Sequence, residues 1–288
     1  MSARPSVRRT TAASRRTRPV RRSSTGLSRV RAGAALAMLV SAAAIYGVCS
    51  SSAFVLQAAD ISVTGATYTD QADVAATVEG LDGTNLFVLK TSPIEAALGD
   101  LPTVGSARVI VQLPHSLAVA IREREAVMVW KVGARRYLAA SDGELFASLA
   151  VDAKEAGGDL PVVDDRRATS AGLSVGGHLD TVDLDAATRL ASLVPADVGS
   201  GAERLAVSVT DENGFVLRPS PASWTAIFGY YTASLRTTEL IPGQVRLLKS
   251  LLYGREATLD RAILASDTDG TFIPKPTPLP SPLPSPKP

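Results

Sequence analysis

Few side chains in this sequence of 288 residues have the types and spacing that catalysis or metal binding requires. The two histidines, His115 and His178, lie in a turn-like and a Gly-rich segment with no Cys or second His beside them, whereas a metal site needs several such ligands together. Asp267-Thr268-Asp269-Gly270 resembles the start of a calcium loop, but Pro278 stands where the bidentate Glu is needed. No serine is predicted to lie in the strand-to-helix elbow that many hydrolases use. We therefore predict no catalytic, cofactor or metal site, and a chain that acts by binding.

The charges of the chain divide sharply along the sequence. Residues 1–59 contain ten Arg and no Asp or Glu, whereas residues 60–288 contain 20 basic and 28 acidic residues. The uncharged apolar stretch 32–56, as a helix rising about 1.5 Å per residue, reaches roughly 37 Å and exceeds the roughly 30 Å hydrocarbon core. Because Arg flanks it on one side only, we predict that the tail 1–31 is cytoplasmic and that residues 60–288 lie outside the plasma membrane.

Three other interpretations of this N-terminal region are weaker. A cleaved signal peptide is the main rival, because Ser51, Ser52 and Ala53 resemble a cleavage site, but the basic region is long and the apolar run continues beyond them. A lipid anchor on Cys49 is disfavoured by Val48, where a small side chain is needed. The Arg cluster is compatible with nucleic-acid binding, yet beside a span it is better explained by topology and anionic lipid headgroups. We therefore predict a single-pass membrane protein that binds no nucleic acid.

Residues 57–125 contain three segments with the pattern of strands. Residues 61–64 alternate apolar and polar side chains and run into Gly65. Two longer alternating runs, 107–113 and 117–121, are separated by a short Pro-containing segment. Such alternation predicts strands with one buried face, and the last two should form an antiparallel hairpin.

Two helices are predicted between the first and second of these strands. Apolar residues recur at helical spacing behind Asp70, which is a suitable N-terminal cap. The second helix begins with Ser92 as the expected cap, Pro93 at the first helical position and Glu95 three residues after the cap. The order of elements in this region is thus βααββ.

The ordered motifs of this region resemble the POTRA domain of the FtsQ/DivIB cell-division proteins. They are, in order, Ile61-x-Val63-x-Gly65, Asn85-Leu86-Phe87, Leu101-Pro102-x-Val104, Leu113-Pro114-x-Ser116-Leu117 and Glu123-Arg124. No single motif is specific, whereas the ordered set is. Ala126 stands where the family usually has Pro, which changes local chain stiffness and leaves the pattern recognisable. The resemblance covers about residues 54–272 and is strongest in its first third.

Beyond residue 125 the resemblance implies the family's C-terminal β domain, over residues 126–272. A helix is expected around 184–193, a hairpin across Asn213-Gly214 and a last strand at 258–265. The residues 273–288 are Pro-rich and predict an extended tail that joins no sheet. The expected fold is α+β, with a single transmembrane helix, then a POTRA domain (βααββ) and a mixed β-rich domain.

The resemblance also implies a function and a partner-binding surface. In this family the last strand and the helix before it receive the FtsB/DivIC partner, while the POTRA domain is linked to other division proteins. Carried over, the surface comprises the helix 244–253 and the strand 259–264. The side chains singled out for partner binding are Gln244, Leu248, Leu251, Tyr253, Leu259, Arg261, Ile263 and Leu264.

The expected protein is a non-enzymatic scaffold of the bacterial divisome, held in the plasma membrane at the division septum. Its implied partners are FtsB/DivIC-like and FtsL-like division proteins and other divisome members, with no cofactor and no small-molecule substrate. One alternative is a POTRA-containing chaperone or secretion/assembly component, although no barrel strands follow the single POTRA repeat. Another is a membrane-anchored wall hydrolase or transpeptidase, which would need a nucleophile and its base in one pocket.

Overall fold

The N-terminal unit of the chain is a long apolar helix. A computed structural model describes residues 25–150 and 158–276, so the basic tail before residue 25 and the Pro-rich tail after residue 276 lie outside the described residues. The chain divides into two units, residues 1–54 and 55–288. In the first, helix α1 (Thr25–Cys49) contains the stretch Val30–Cys49, which is long and apolar enough to cross a membrane.

The structure corrects the expected C-terminal end of the span. Helix α1 ends at Cys49 rather than at residue 56. Val55 forms an antiparallel bridge with Asn85, and the fully buried Leu56 donates its backbone N–H to the carbonyl of Thr84 at 3.0 Å. The apolar residues that seemed to extend the span therefore serve the core of the next domain.

Residues 56–124 fold as the predicted βααββ domain. Its elements are β1 (Ile61–Thr64), α2 (Gln71–Val78), α3 (Ser92–Gly99), β2 (Val104–Gln112) and β3 (Ser116–Glu123). The strands form a sheet in the order β1-β3-β2, in which β1 runs parallel and β2 antiparallel to the central strand β3. Val74 of α2 and Leu98 of α3 are fully buried with Leu117 and Val119 of β3. The apolar residues predicted from their spacing thus form one core.

Gly65 ends β1 in a conformation that only glycine adopts without strain. Its φ is +84°, and a Cβ added there would lie 2.1 Å from the carbonyl oxygen of Ile121. We expect Gly65→Ala to destabilise this domain by roughly 3 kcal/mol, because it combines backbone strain with a clash against fixed backbone. Gly83 has φ +77° with no atom within 4 Å of its added Cβ, so Gly83→Ala should show the strain alone, about 1–2 kcal/mol.

Hydrogen exchange of the β1 and β3 amides in the full chain measures both opening free energies. Equal losses in the two variants would contradict the clash.

The residues after the POTRA domain form one mixed sheet. Its strands are β4 (Ala126–Val132), β5 (Arg135–Ala140), β6 (Leu145–Leu149), β7 (Val162–Asp165), β8 (Arg204–Thr210), β9 (Gly214–Ser220), β10 (Thr225–Gly229), β11 (Leu259–Leu264) and β12 (Gly270–Pro274). They lie in the order β12-β11-β10-β9-β8-β7-β4-β5-β6. Pairs β4/β7, β7/β8 and β10/β11 are parallel and the others antiparallel. The α+β fold class predicted from the sequence is confirmed.

Helices cover one face of this long sheet and create its main core. They are α4 (Thr181–Ala191), the short α5 (Pro195–Val198) and α6 (Ile241–Leu252). Leu190 of α4 and Leu248 of α6 are fully buried with Trp130, Phe215 and Phe228 of the sheet. Since α6 packs beside β10 and β11, this layer fixes the end of the sheet where the partner-binding residues were predicted.

Arg124 joins the POTRA domain to the β domain. Its Nε donates to the carbonyl of Pro102 at 3.0 Å, and its two Nη atoms lie 2.6 Å from Asp142 and 2.5 Å from Glu144. Burial acts to raise the pKa of Asp142, but hydrogen bonds from the Glu144 backbone and the charge of Arg124 hold this pKa below its ordinary value. The Glu-Arg motif of the sequence thus supplies a connection between the two domains.

Candidate partner-binding surface

Helix α6 is built to lie flat on the sheet. Pro242 stands in its first turn, where no intrahelical N–H bond is lost. Ile241, Leu248 and Leu252 are buried against the sheet, whereas Leu251 is half-buried. Gly243 allows a close approach, because a Cβ added there would lie 2.3 Å from Cβ of Asp267 in the β11–β12 loop. The start of α6 is therefore packed directly onto the hairpin that ends the sheet.

Gln244 fixes α6 to the ends of two strands. Its side chain is fully buried and donates from Nε2 to the carbonyls of Phe228 (3.3 Å) and Leu264 (2.7 Å). Its Oε1 accepts a hydrogen bond from the Tyr231 hydroxyl at 2.7 Å. Burial raises the pKa of Tyr231, and the nearby charge of Arg236 lowers it by less, so the hydroxyl stays a proton donor. Gln244 was predicted to contact a partner, and the structure gives it an internal bonding role instead.

Arg236 reinforces the same strand ends, although no sequence motif drew attention to it. One Nη donates to the carbonyls of Phe228 (2.6 Å) and Leu264 (2.7 Å), and the other donates to the carbonyl of Ala265. Its guanidinium also lies over the Tyr231 ring, 5.8 Å from the centroid. Together with Gln244, it satisfies carbonyl groups at the ends of β10 and β11 that would otherwise be buried without partners.

Gln244→Leu is expected to destabilise the β domain by about 1–3 kcal/mol. The substitution conserves approximate volume but leaves the Tyr231 hydroxyl without its acceptor and the Phe228 and Leu264 carbonyls with Arg236 alone. Unsatisfied buried polar groups are costly. Denaturant unfolding of the full chain in micelles, followed by tryptophan fluorescence, measures the loss. The double variant Gln244→Leu with Tyr231→Phe should recover part of the stability. A double variant no more stable than Gln244→Leu would contradict a role for the Tyr231–Gln244 bond.

The predicted last strand is not at the edge of the sheet. β11 pairs on one side with β10 and on the other, antiparallel, with β12. The hairpin loop is held by Ser266, whose Oγ accepts the N–H groups of Thr268 (3.2 Å) and Asp269 (2.9 Å). The expectation that the strand at 258–265 is the last one is therefore corrected, because residues 270–274, which include the start of the predicted Pro-rich tail, extend the sheet by one strand.

The predicted partner-binding side chains divide into two groups. Leu248, Leu259 and Leu264 are buried in the core together with Gln244 and cannot reach a partner without unfolding. The remaining four are exposed or half-buried: Leu251, Tyr253, Arg261 and Ile263. Tyr253, at the end of α6, is 86% exposed. These four residues remain candidates for partner contact.

The outer edge of β12 forms the main feature of this surface. Lys275 donates its backbone N–H to Thr258 at 2.8 Å, next to β11. Because backbone N–H groups alternate in direction along a strand, the N–H of Phe272 points away from β11. Within the part of the chain that the structure describes, no hydrogen bond from outside the sheet reaches the β12 backbone. The strand therefore presents an open edge to solvent.

Apolar side chains lie beside this open edge. Phe272 faces the same side of the sheet as its buried partner Ala262, which is the side covered by α6. Leu247 and Leu251, one turn apart on α6, are half-buried and pack with Phe272 against the main core. The guanidinium of Arg255 lies 5.0 Å from the Phe272 ring centroid. We call the outer edge of β12 with the exposed side of α6 the β12–α6 surface.

A sequence signal for β12 was present. The pair Asp269-Gly270 favours a tight turn, and Thr271-Phe272-Ile273 has strong β propensity. The run is only three residues long and is followed by Pro274, so no strand was predicted there: Thr271 and Phe272 ended the β domain and Ile273 began the tail. Pro274 is tolerated because an edge strand does not need every N–H for pairing.

The two histidines and the serine motif first considered for chemistry lie outside any catalytic or metal-binding arrangement among the described residues. His115 Nδ1 lies 2.9 Å from Asp60, and His178 Nε2 lies 3.9 Å from Glu144. Residues 172–176 have the Gly-x-Ser-x-Gly spacing, a match that was not considered in the sequence analysis. Ser174 is exposed in a loop after a 3-10 helix, not between a strand and a helix as in a hydrolase elbow. Among the described residues, no group of three or more His, Cys, Asp or Glu is placed to hold a metal ion.

The fold and this surface define a class of protein with an apolar N-terminal helix, one POTRA domain and a long mixed sheet. Residues 56–124 match the family model described as "POTRA domain, FtsQ-type". The chain is also 24% identical over 248 residues to the cell division protein FtsQ of Chloroflexus aurantiacus, covering 86% of this chain and 80% of that protein. These matches confirm the resemblance to the FtsQ/DivIB family found in the sequence. They support a cell division protein, and α1 contains a stretch that is long and apolar enough to cross a membrane.

Proposed function

We propose that this protein is a non-enzymatic scaffold of the divisome and that the β12–α6 surface receives an extended segment of an FtsB/DivIC-like partner. The observation that supports this most strongly is the open outer edge of β12 beside half-buried apolar side chains. An edge strand with free N–H and C=O groups is a template for another strand. The partner's backbone would supply affinity, and its alternate side chains would supply specificity.

The side chains around β12 suit such an added strand. On the helix side, Leu251 and Phe272 offer apolar surface to alternate residues of the incoming segment. On the opposite side, Arg261 and Ile263 pair with Ile273 and Thr271 of β12, so they lie one strand further from the partner. We therefore assign the direct contacts to β12 and α6. Arg261 and Ile263 lie on the neighbouring strand β11 and would not contact the added strand directly.

The proposed topology places this surface outside the cell. Helix α1 would span the plasma membrane with the Arg-rich N-terminal tail in the cytoplasm, in agreement with the charge bias. A POTRA domain over residues 57–125 and the β domain after it would then face FtsB/DivIC-like and FtsL-like proteins at the division septum. The FtsQ-type match and the FtsQ relative support this arrangement.

Depletion of the protein in its native host tests the division role. Loss of a divisome scaffold is expected to give filaments with segregated chromosomes and no septa. Cells that divide normally but have outer-membrane defects would instead favour a POTRA-containing chaperone or secretion component. Complementation by the full chain, but not by a chain with a blocked β12 edge, would connect the phenotype to the β12–α6 surface.

A further inference from the structure

Within the described residues, each of the two sheets has one edge strand whose backbone is bonded to groups outside the sheet and one that is not. On β2, the carboxylate of Glu95 accepts the N–H of Val109 at 2.8 Å. On β6, Leu145 donates to Gly177 at 2.8 Å and accepts from Gly176 at 2.9 Å. Across residues 25–150 and 158–276, no hydrogen bond from outside the sheet reaches the backbone of β1 or of β12. The β1 edge of the POTRA domain is therefore unpaired, and the β12–α6 surface does not include it.

A groove runs along this open edge. It has a volume of about 660 Å³ and lies between Ile61 and Val63 of β1 and the outer side of α2. The exposed side chains of Ala72, Ala75 and Ala76 are small, and the buried Val74 and Val78 also line the groove. Helix α2 is about 12 Å long and four residues of strand span about 13 Å. The groove thus has the length and shallow floor that a short extended segment needs.

The Asp, Glu, Lys and Arg residues of the segment that forms this groove are all acidic. Residues 55–89 contain five acidic residues and no Lys or Arg. Asp60 is paired with His115, Asp70 caps α2 and Asp82 accepts the N–H of Ala58. Glu79 lines the groove and forms no ion pair within the described part of the chain, whereas Asp73 lines a separate pocket. Glu79 also follows the C-terminus of α2, where the helix dipole is negative.

We propose that the groove between β1 and α2, here called the β1–α2 groove, is a second docking site that takes an extended basic segment of another protein. The segment adds as a fourth strand on β1, with an apolar residue over the Ala floor and a Lys or Arg toward Glu79. Residues two apart in a strand face the same side, so the groove-facing pattern is apolar-x-basic in one strand direction and basic-x-apolar in the other. This inference goes beyond the proposed function and does not depend on the β12–α6 surface.

The test uses the full chain in phosphatidylcholine nanodiscs, whose lipids carry no net charge. The labelled chain is titrated with the peptide acetyl-Thr-Lys-Thr-Val-Thr-Lys-Thr-amide and with its counterpart in which Glu replaces both Lys. The palindromic order lets either peptide bind in both strand directions. We expect the Lys peptide to bind at least tenfold more tightly than the Glu peptide, and to slow hydrogen exchange of the β1 amides.

Variants on the surface of α2 locate the binding. Glu79→Lys should weaken the Lys peptide at least fivefold, and Ala76→Trp should abolish binding by filling the groove, while neither touches the buried core. Glu203→Lys makes the same charge reversal at an exposed site of the β domain and should leave affinity unchanged.

Three results would overturn the proposal. They are no binding of the Lys peptide, equal binding of the two peptides, or equal losses in Glu79→Lys and Glu203→Lys. Self-association of the chain that Ala76→Trp abolishes would assign the groove to a second copy and also overturn it. None of these results bears on capture at β12.

Discussion

Arg167→Ala should destabilise the β domain by about 3–5 kcal/mol, the largest loss expected from a single substitution outside the apolar core. Asp165, at the end of β7, has a fully buried side chain that accepts hydrogen bonds from Arg167 Nε (3.0 Å) and Nη2 (2.8 Å). Arg167 Nη1 also lies 2.6 Å from Asp183 of α4. Removing the guanidinium leaves Asp165 buried with, among the described residues, only Ser170 and one backbone N–H as partners.

The pH dependence of this loss has a definite sign. Burial acts to raise the pKa of Asp165, but hydrogen bonds from Arg167 and Ser170 hold it below its ordinary value of 3.8. A carboxyl with a depressed pKa contributes stability that is present above its unfolded-state pKa and is lost as pH falls through the folded-state value. The difference between wild type and Arg167→Ala should therefore be full at pH 7 and shrink below about pH 4.

Denaturant unfolding followed by the fluorescence of the two tryptophans, both buried in the β domain, measures this difference. Arg189→Ala is the matched control, because Arg189 forms an exposed pair with Asp185 one turn away on α4. It should lose no more than about 0.5 kcal/mol. Comparable losses in the two variants would contradict the account of a buried ion pair.

Phe272→Pro should abolish capture of the FtsB/DivIC-like partner of the same organism, with a loss of at least tenfold beyond that of Phe272→Ala. Both variants lose the aromatic ring, but only proline also removes the N–H that points away from β11. The ladder between β11 and β12 should survive, because that N–H takes no part in it. Immunoprecipitation of full-length proteins from membranes, quantified against expression level, measures capture.

Ile263→Pro would be a poor test, although the sequence singled out Ile263. Ile263 pairs with Ile227 of β10 and Thr271 of β12, so proline there would break the sheet itself. Unchanged stability of Phe272→Pro relative to Phe272→Ala serves as the control for folding. Equal capture by these two variants would show that the outward N–H of Phe272 is not used.

The parts of the fold that local chemistry determines were predictable from the sequence. Alternation in 107–113 and 117–121 predicted β2 and β3, and Asp70 caps α2 as expected, accepting the N–H of Ala72 at 2.9 Å. These signals operate within a few residues of each other. The order of the elements then identified the POTRA domain.

Features that depend on long-range packing were not predictable. Leu56 looked like part of the span because buried apolar residues of a core and of a membrane segment have the same composition. Glu95 was expected to cap its own helix, and its carboxylate instead accepts the N–H of Val109 on β2. Nothing in the sequence around Gln244 indicates that both polar atoms of its side chain form hydrogen bonds inside the protein.

The position of the candidate site was predicted better than its contacts. The helix and the C-terminal end of the sheet were correct in outline, but β12 displaced β11 from the edge because a three-residue run before Pro274 carries little local signal. Half of the eight named side chains proved to be core residues. Burial depends on which face of α6 and β11 meets the sheet, and that is set by tertiary contacts.

Hydrogen exchange at the Phe272 amide, measured in the full chain with and without the FtsB/DivIC-like partner, tests the central claim most directly. If the partner adds as a strand on β12, exchange of this outward-pointing amide should slow by at least tenfold when the partner is bound at saturation. Unchanged exchange at Phe272, with protection appearing at another surface of the bound protein, would contradict the account.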